Sequence, residues 1–145
     1  MAVFYTIFFF IATLFSQTPA IEGTWITQDD ETGKKKSEVL IYKEKGKLYG
    51  KITKLLLAED QGKKCVKCKG EAKDQPIEGL VIIKALELDE DTWEDGTILD
   101  PKSGKVYDCS IGFENENTLK VRGYLGFSLL GRTQIWTRKK KTVQL

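Results

Sequence analysis

Two of the three cysteines in this sequence form a Cys65-Val66-Lys67-Cys68 motif, with Lys63, Lys64, Lys67 and Lys69 around it. Nearby ammonium groups favour thiolates, so the motif has the surroundings of a reactive dithiol. A redox C-x-x-C ordinarily sits in a βαβ setting, and this stretch reads as a loop between strands. Position 69 is Lys rather than His, so covalent c-type haem attachment has no support. Zinc asks for four ligands, and three cysteines without a histidine would need a carboxylate or water to complete the set. An exported compartment would favour a disulfide. A bridge between Cys65 and Cys68 would close a tiny loop, stabilise little and leave Cys109 as a spare thiol. A bridge from either one to Cys109 would staple a long loop to the rest of the chain. Spacing alone leaves disulfide, metal and free-thiol chemistry open, and the pairing with them.

A second concentration of chemistry is acidic. Glu87, Asp89, Glu90, Asp91, Glu94 and Asp95 crowd around Trp93. The cluster lacks the glycine and glutamate spacing of a calcium loop. A glycosidase pair needs two carboxyls set across a site, which neighbours on one loop do not establish. A solvated hairpin end is the expectation here. A third set is aromatic: Trp25, Tyr49, Tyr107, Tyr124 and Trp136, with Arg122 among them. Aromatic walls with a few placed polar groups make ligand sites, and an arginine inside one would grip the carboxylate of a fatty acid or similar anion. These six residues are the candidate ligand-binding set. Against that reading, Trp25 is equally suited to plug a core and the tyrosines to serve as ordinary strand residues. Gly123, Gly126 and Gly131 suit bends and close backbone approach, since no helix follows them to bind a phosphate.

Absences narrow the chemistry further. The chain has no histidine, which removes Ser-His-Asp and Cys-His dyads, histidine metal ligands and histidine pH switches. Met1 is the only methionine, so a methionine copper site is out as well. With 23 basic and 21 acidic side chains, the net charge of +2 gives no electrostatic case for nucleic acid. No catalytic constellation emerges, and no metal or cofactor is expected.

These groups need a scaffold, and 145 residues are enough for one domain with a real core. Residues 1–20 contain no charged side chain and a dense apolar run from Val3 to Phe15 that ends in small or turn-forming residues. The run is short for a membrane span and reads as a secretory signal peptide, cleaved near Ser16 or after Ala20. The n-region carries no Lys or Arg, which is the feature against that reading. The expected product is an exported domain over 21–145, periplasmic or secreted, with no integral membrane span. That domain alternates short apolar runs with Gly, Asp, Asn and Lys turns, as an antiparallel barrel does. Strands are expected near 22–28, 37–44, 47–57, 77–86, 96–99, 105–113, 117–125 and 132–139. Hairpins are expected at Glu44-Lys45-Gly46, at Asp100 to Gly104 and at Glu114 to Asn117. Eight strands close a small up-and-down barrel with room for side chains or one ligand. Alternation puts Tyr107, Cys109, Ile111 and Phe113 on one face of their strand, and Val121 opposite Arg122 and Tyr124 on theirs. It does not say which face is inside.

Gly23-Thr24-Trp25 at the first strand and Arg138 in the last resemble the pairing of lipocalin-like (calycin) barrels, in which that arginine packs across that tryptophan. A guanidinium over an indole face is favourable in itself. The ordered set Tyr49-Gly50-Lys51-Ile52, Pro76-Ile77-Glu78-Gly79-Leu80, Trp93-Glu94-Asp95-Gly96, Asp100 to Tyr107, Arg122-Gly123-Tyr124-Leu125-Gly126, Gly131-Arg132-Thr133 and Trp136-Thr137-Arg138 resembles a bacterial domain-of-unknown-function family, number 2147. The resemblance covers essentially all of 22–139. It implies an exported, lipocalin-like, all-β barrel and brings no substrate, catalytic residue or cofactor. The functional expectation is a non-enzymatic barrel that binds a small apolar or amphipathic ligand. The alternatives are a filled-barrel interaction module of the cell envelope and, behind it, a thiol-redox protein using Cys65 and Cys68.

Overall fold

In a computed structural model that describes residues 3–4, 9–14, 17–126 and 131–141, eight antiparallel strands close into an up-and-down barrel. They are β1 (Gly23–Gln28), β2 (Lys35–Glu44), β3 (Lys47–Leu55), β4 (Val81–Asp89), β5 (Thr92–Asp100), β6 (Lys105–Asn115), β7 (Thr118–Tyr124) and β8 (Arg132–Arg138). Each strand pairs with its neighbours in sequence, and β8 returns to β1 through Trp25↔Arg138 and Ile26↔Thr137. The proposed cleavage site at Ser16 and the centre of the glycine-rich corner between β7 and β8 lie outside the described residues.

Turn chemistry sets the register. Lys45 and Gly46 both have positive φ (51° and 78°), the backbone of a two-residue hairpin whose twist matches the strands it joins. At the β5–β6 turn the Asp100 carboxylate accepts the Lys102 N–H and the Ser103 hydroxyl. Gly104 closes that turn at φ 72°. Two strands differ from the expected bounds by more than two residues. β4 starts at Val81 rather than at 77, because Ile77 to Leu80 form a turn, with Gly79 at φ 95° and Ile77 and Leu80 packed on the core from outside the sheet. β5 starts at Thr92 rather than at 96, and the acidic cluster is the end of the β4–β5 hairpin, as expected, with Glu90 and Asp91 in its turn and the other acids on the two strands. Glu87 pairs with Glu94 and Asp89 with Thr92 in a regular ladder, and Trp93 is buried. Charged residues on the outward face of a strand look like a turn when read without their partners.

The core divides along the barrel axis. Its lower half is filled by Trp25, Val39, Ile41, Leu48, Ile83, Leu86, Ile111 and Leu119, all buried. Close packing there reaches the backbone: a Cβ on Gly50 would lie 2.8 Å from Ile83 Cδ1. The floor is closed by the two residues singled out for it. The Arg138 guanidinium lies 4.3 Å from the centroid of the Trp25 ring and donates to the carbonyls of Ala20 and Glu116 at 3.0 and 2.9 Å. The Trp25 indole N–H donates to the Ile21 carbonyl at 2.9 Å, and Phe113 meets the ring edge-on. A buried indole with its N–H satisfied and a cation over its face makes a plug rather than a binding surface.

Candidate functional site

Above this floor the barrel is hollow. A cavity of about 770 Å³ opens at the end where the β1–β2, β3–β4, β5–β6 and β7–β8 connections meet. That volume lies within the range of small-molecule sites. Its walls are apolar: Ile52, Leu55, Ile82, Ile98, Val121 and Trp136 face it from strands. Alternation explains part of the choice, and breaks in the ladder explain the rest: the β2–β3 register shifts between Ile52 and Lys54, so Leu55 shares a face with Ile52, and the β3–β4 register shifts at Ile82, which is buried beside Ile83. Gly123 keeps the wall thin where β7 passes Ile98 and Tyr107.

Charged groups such as Lys36, Lys64, Asp100 and Lys102 also line the cavity, and several of its polar groups are paired. Thr27 and Ser37 stand opposite each other across β1 and β2, are each 6% exposed, and their hydroxyls lie 2.7 Å apart. The Trp136 indole N–H donates to Gln134 Oε1 at 3.0 Å, so the ring offers the cavity its face and not its donor. Gln134 in turn donates to Asp30, which also holds Arg132 at 2.9 Å. That chain of contacts ties the β1–β2 connection to β8 at the rim.

The long segment between β3 and β4 forms another part of the rim, and the cysteines fix its shape. Cys65 and Cys68 are joined in a disulfide, and Cys109 is a separate, buried thiol. Both bridged cysteines are buried at 0% and 2% exposure. Around them Cys65 N–H donates to the Gln75 carbonyl, and Asp74 and Cys68 N–H donate to the Cys65 carbonyl. The segment rests on the β5–β6 turn at Gly104, where a Cβ would stand 1.9 Å from the Lys67 carbonyl oxygen. Only glycine permits that approach at that φ. Val66, between the cysteines, lines the cavity mouth with Leu57, Lys63 and Lys64. Cys109 faces inward from β6, and burial pushes its thiol up to about 12.

Of the six aromatic and arginine candidates, two line the cavity: Tyr107 and Trp136. Trp25 lies beneath it as the floor. Tyr49 faces outward and stacks on Tyr42, ring centroids 5.8 Å apart. Arg122 and Tyr124 stand on the face of β7 opposite the cavity-lining Val121 and Gly123, and the guanidinium lies over the Tyr124 ring at 5.2 Å. Arg122 is therefore not placed to grip an anion inside the barrel, as its sequence setting had led us to expect. Burial and the neighbouring carboxylates, Asp108 first among them, raise the Tyr124 phenol on that outer face. The residues missed from sequence are Thr27, Ser37 and the aliphatic wall, which carry no signal beyond ordinary strand alternation.

Residues 23–138 match the model of a family described as an uncharacterized protein conserved in bacteria (DUF2147). No curated protein matches the chain. Among solved structures the fold is similar to one described as protein HP1028 from the human pathogen Helicobacter pylori, which belongs to the lipocalin family. The similarity has a TM-score of 0.74 at 20% identity and covers 85% of each chain. At that identity the likeness speaks for the fold.

Proposed function

The chain belongs to this bacterial family of uncharacterized proteins, and on that premise we propose that it is an exported, non-catalytic protein whose barrel holds one small, largely apolar or amphipathic ligand. The observation that carries the reading is the open cavity of about 770 Å³, walled by aliphatic side chains and Trp136 and sealed below by Trp25 and Arg138. Apolar walls around a space of that size offer a ligand the dispersion contacts and desolvation that small-molecule sites use. The same cavity weighs against the barrel filled by its own side chains. Burial of the Cys65–Cys68 bridge weighs against a working dithiol, which needs an accessible sulfur. Export rests on the uncharged apolar stretch over 1–20 and on a disulfide that suits an oxidising compartment.

Native mass spectrometry of the protein purified from its own host tests the reading. A co-purifying mass released by organic extraction is expected, with a polypeptide two daltons below the fully reduced mass for one disulfide. A bare polypeptide that also takes up no added apolar compound would remove the binding function.

A further inference from the structure

Thr27 and Ser37 are out of place in an aliphatic wall. Burying a hydroxyl without a partner is unfavourable, and these two answer that by bonding to each other. Each hydroxyl brings one proton, and their mutual bond uses only one of the two. The second is left for another acceptor, and the pair lines a cavity in which Leu55 is the cross-strand neighbour of Ser37. A ligand oxygen would complete the pair, and a purely hydrocarbon ligand would not.

Among the described residues, the mouth above them carries five cations, Lys36, Lys63, Lys64, Lys102 and Arg132, against four carboxylates, Asp29, Glu59, Asp60 and Asp100. Lys36 precedes Ser37 in β2 and lines the same cavity, with Lys64 and Lys102 on the rim. None of the three has an ion-pair partner among the described residues, whereas Lys63 is held by Asp60 and Arg132 by Asp30. Asp29 and Asp100 accept hydrogen bonds from their own turns, and Lys36 lies near enough to Asp29 to help hold it ionised. Asp29 accepts the N–H groups of Glu31 and Thr32 and the Thr32 hydroxyl, and those backbone donors hold its carboxyl below the usual range. Asp100 accepts from Lys102 N–H and the Ser103 hydroxyl. Glu59 is the remaining acid of the lining.

We propose that the Thr27–Ser37 hydroxyl pair, with Lys36 beside it, is the head-group subsite of this cavity and takes the carboxylate of a single-chain amphiphile whose tail lies against Ile52, Ile82, Ile98, Val121 and Trp136. The assignment rests on the cavity being the ligand site. It moves the anion-binding role from Arg122, outside the barrel, to residues that face its interior.

Titration calorimetry with dodecanoate, dodecanol and dodecyltrimethylammonium, on the intact protein and three variants, tests it. Dodecanoate is expected to bind best and the ammonium compound worst. The double variant Thr27→Val/Ser37→Ala is expected to weaken dodecanoate by about tenfold or more, the usual value of a hydrogen bond to a charged group. Thr27→Ser, which keeps the hydroxyl, should bind as the parent does. Lys36→Gln alters a half-buried side chain at the mouth and guards against a folding defect in the double variant. It is expected to weaken dodecanoate several-fold and leave dodecanol unchanged. Equal binding of all three compounds, or dodecanoate affinity unmoved by both the double variant and Lys36→Gln, overturns the head-group subsite while leaving the cavity as a ligand site. Failure of every compound to bind overturns both.

Discussion

The buried thiol of Cys109 gives the fold a specific alkaline weakness. An unfolded cysteine ionises near 9.0, whereas the folded thiol keeps its proton to about 12 because burial disfavours the thiolate. Between those values the folded state binds the extra proton, so the contribution is fully present below pH 9 and is lost as pH rises. Integrating the linkage from pH 8 to pH 10 gives a loss of about 1.3 kcal/mol. For a domain of this length that corresponds to a fall in melting temperature of about 5 °C. The assay is thermal or urea unfolding at a series of pH values without reductant, so that the Cys65–Cys68 bridge stays closed. Tyr42 and Tyr124 are also raised by burial and add a loss of the same sign as pH passes the phenol range. The Cys109→Ala variant separates the contributions, since its stability should stay flat from pH 8 to pH 9 and fall only with the tyrosines. Parallel curves for parent and variant across the whole range would refute the reasoning.

Two further substitutions probe the frame around the cavity. Gly104→Ala forces a Cβ against the Lys67 carbonyl at positive φ, and should cost about 2 kcal/mol by urea unfolding. The same variant should let an added dithiol reduce the Cys65–Cys68 bridge faster, because the segment must lift from the β5–β6 turn. An unchanged reduction rate would mean the bridge is protected by something other than that contact. Arg138→Ala removes the cation from the Trp25 face and two donors from the Ala20 and Glu116 carbonyls, with an expected loss of about 2 kcal/mol. Arg138→Lys should recover only part, since an ammonium has neither the plane nor the fork of a guanidinium. Full recovery would show that charge alone suffices.

How far the sequence revealed this molecule depends on which interactions are local. Strand number and the Lys45-Gly46 and Asp100-to-Gly104 hairpins were legible, because turn chemistry and residue type leave marks at fixed positions, whereas the Trp25–Arg138 plug was legible only through the resemblance to lipocalin-like barrels. The extent of β4 and β5 was not, because Glu87, Asp89 and Glu94 are stabilised as strand residues only by partners across the ladder. Alternation placed Arg122 and Val121 on opposite faces of β7 correctly, yet which face looked inward depended on the closure of the whole barrel. The cysteine pairing was equally out of reach, since Cys65, Cys68 and Cys109 allow three bridges and spacing does not choose among them. Thr27 and Ser37 were invisible for the plainest reason: two small polar residues become a site only when β1 and β2 set them opposite each other beneath an empty space.

The most direct test of a ligand-holding barrel is to fill the cavity and ask whether binding disappears. Ile98→Trp projects an indole into the space from β5, while Tyr49→Ala removes a ring from the outer surface. Titrated with one neutral apolar fluorophore, the parent and Tyr49→Ala should each bind one equivalent with the same affinity, and Ile98→Trp should bind at least about tenfold more weakly while melting no earlier than the parent by more than a few degrees. Equal affinity in all three proteins would contradict the account, because the fluorophore would then sit somewhere other than the cavity.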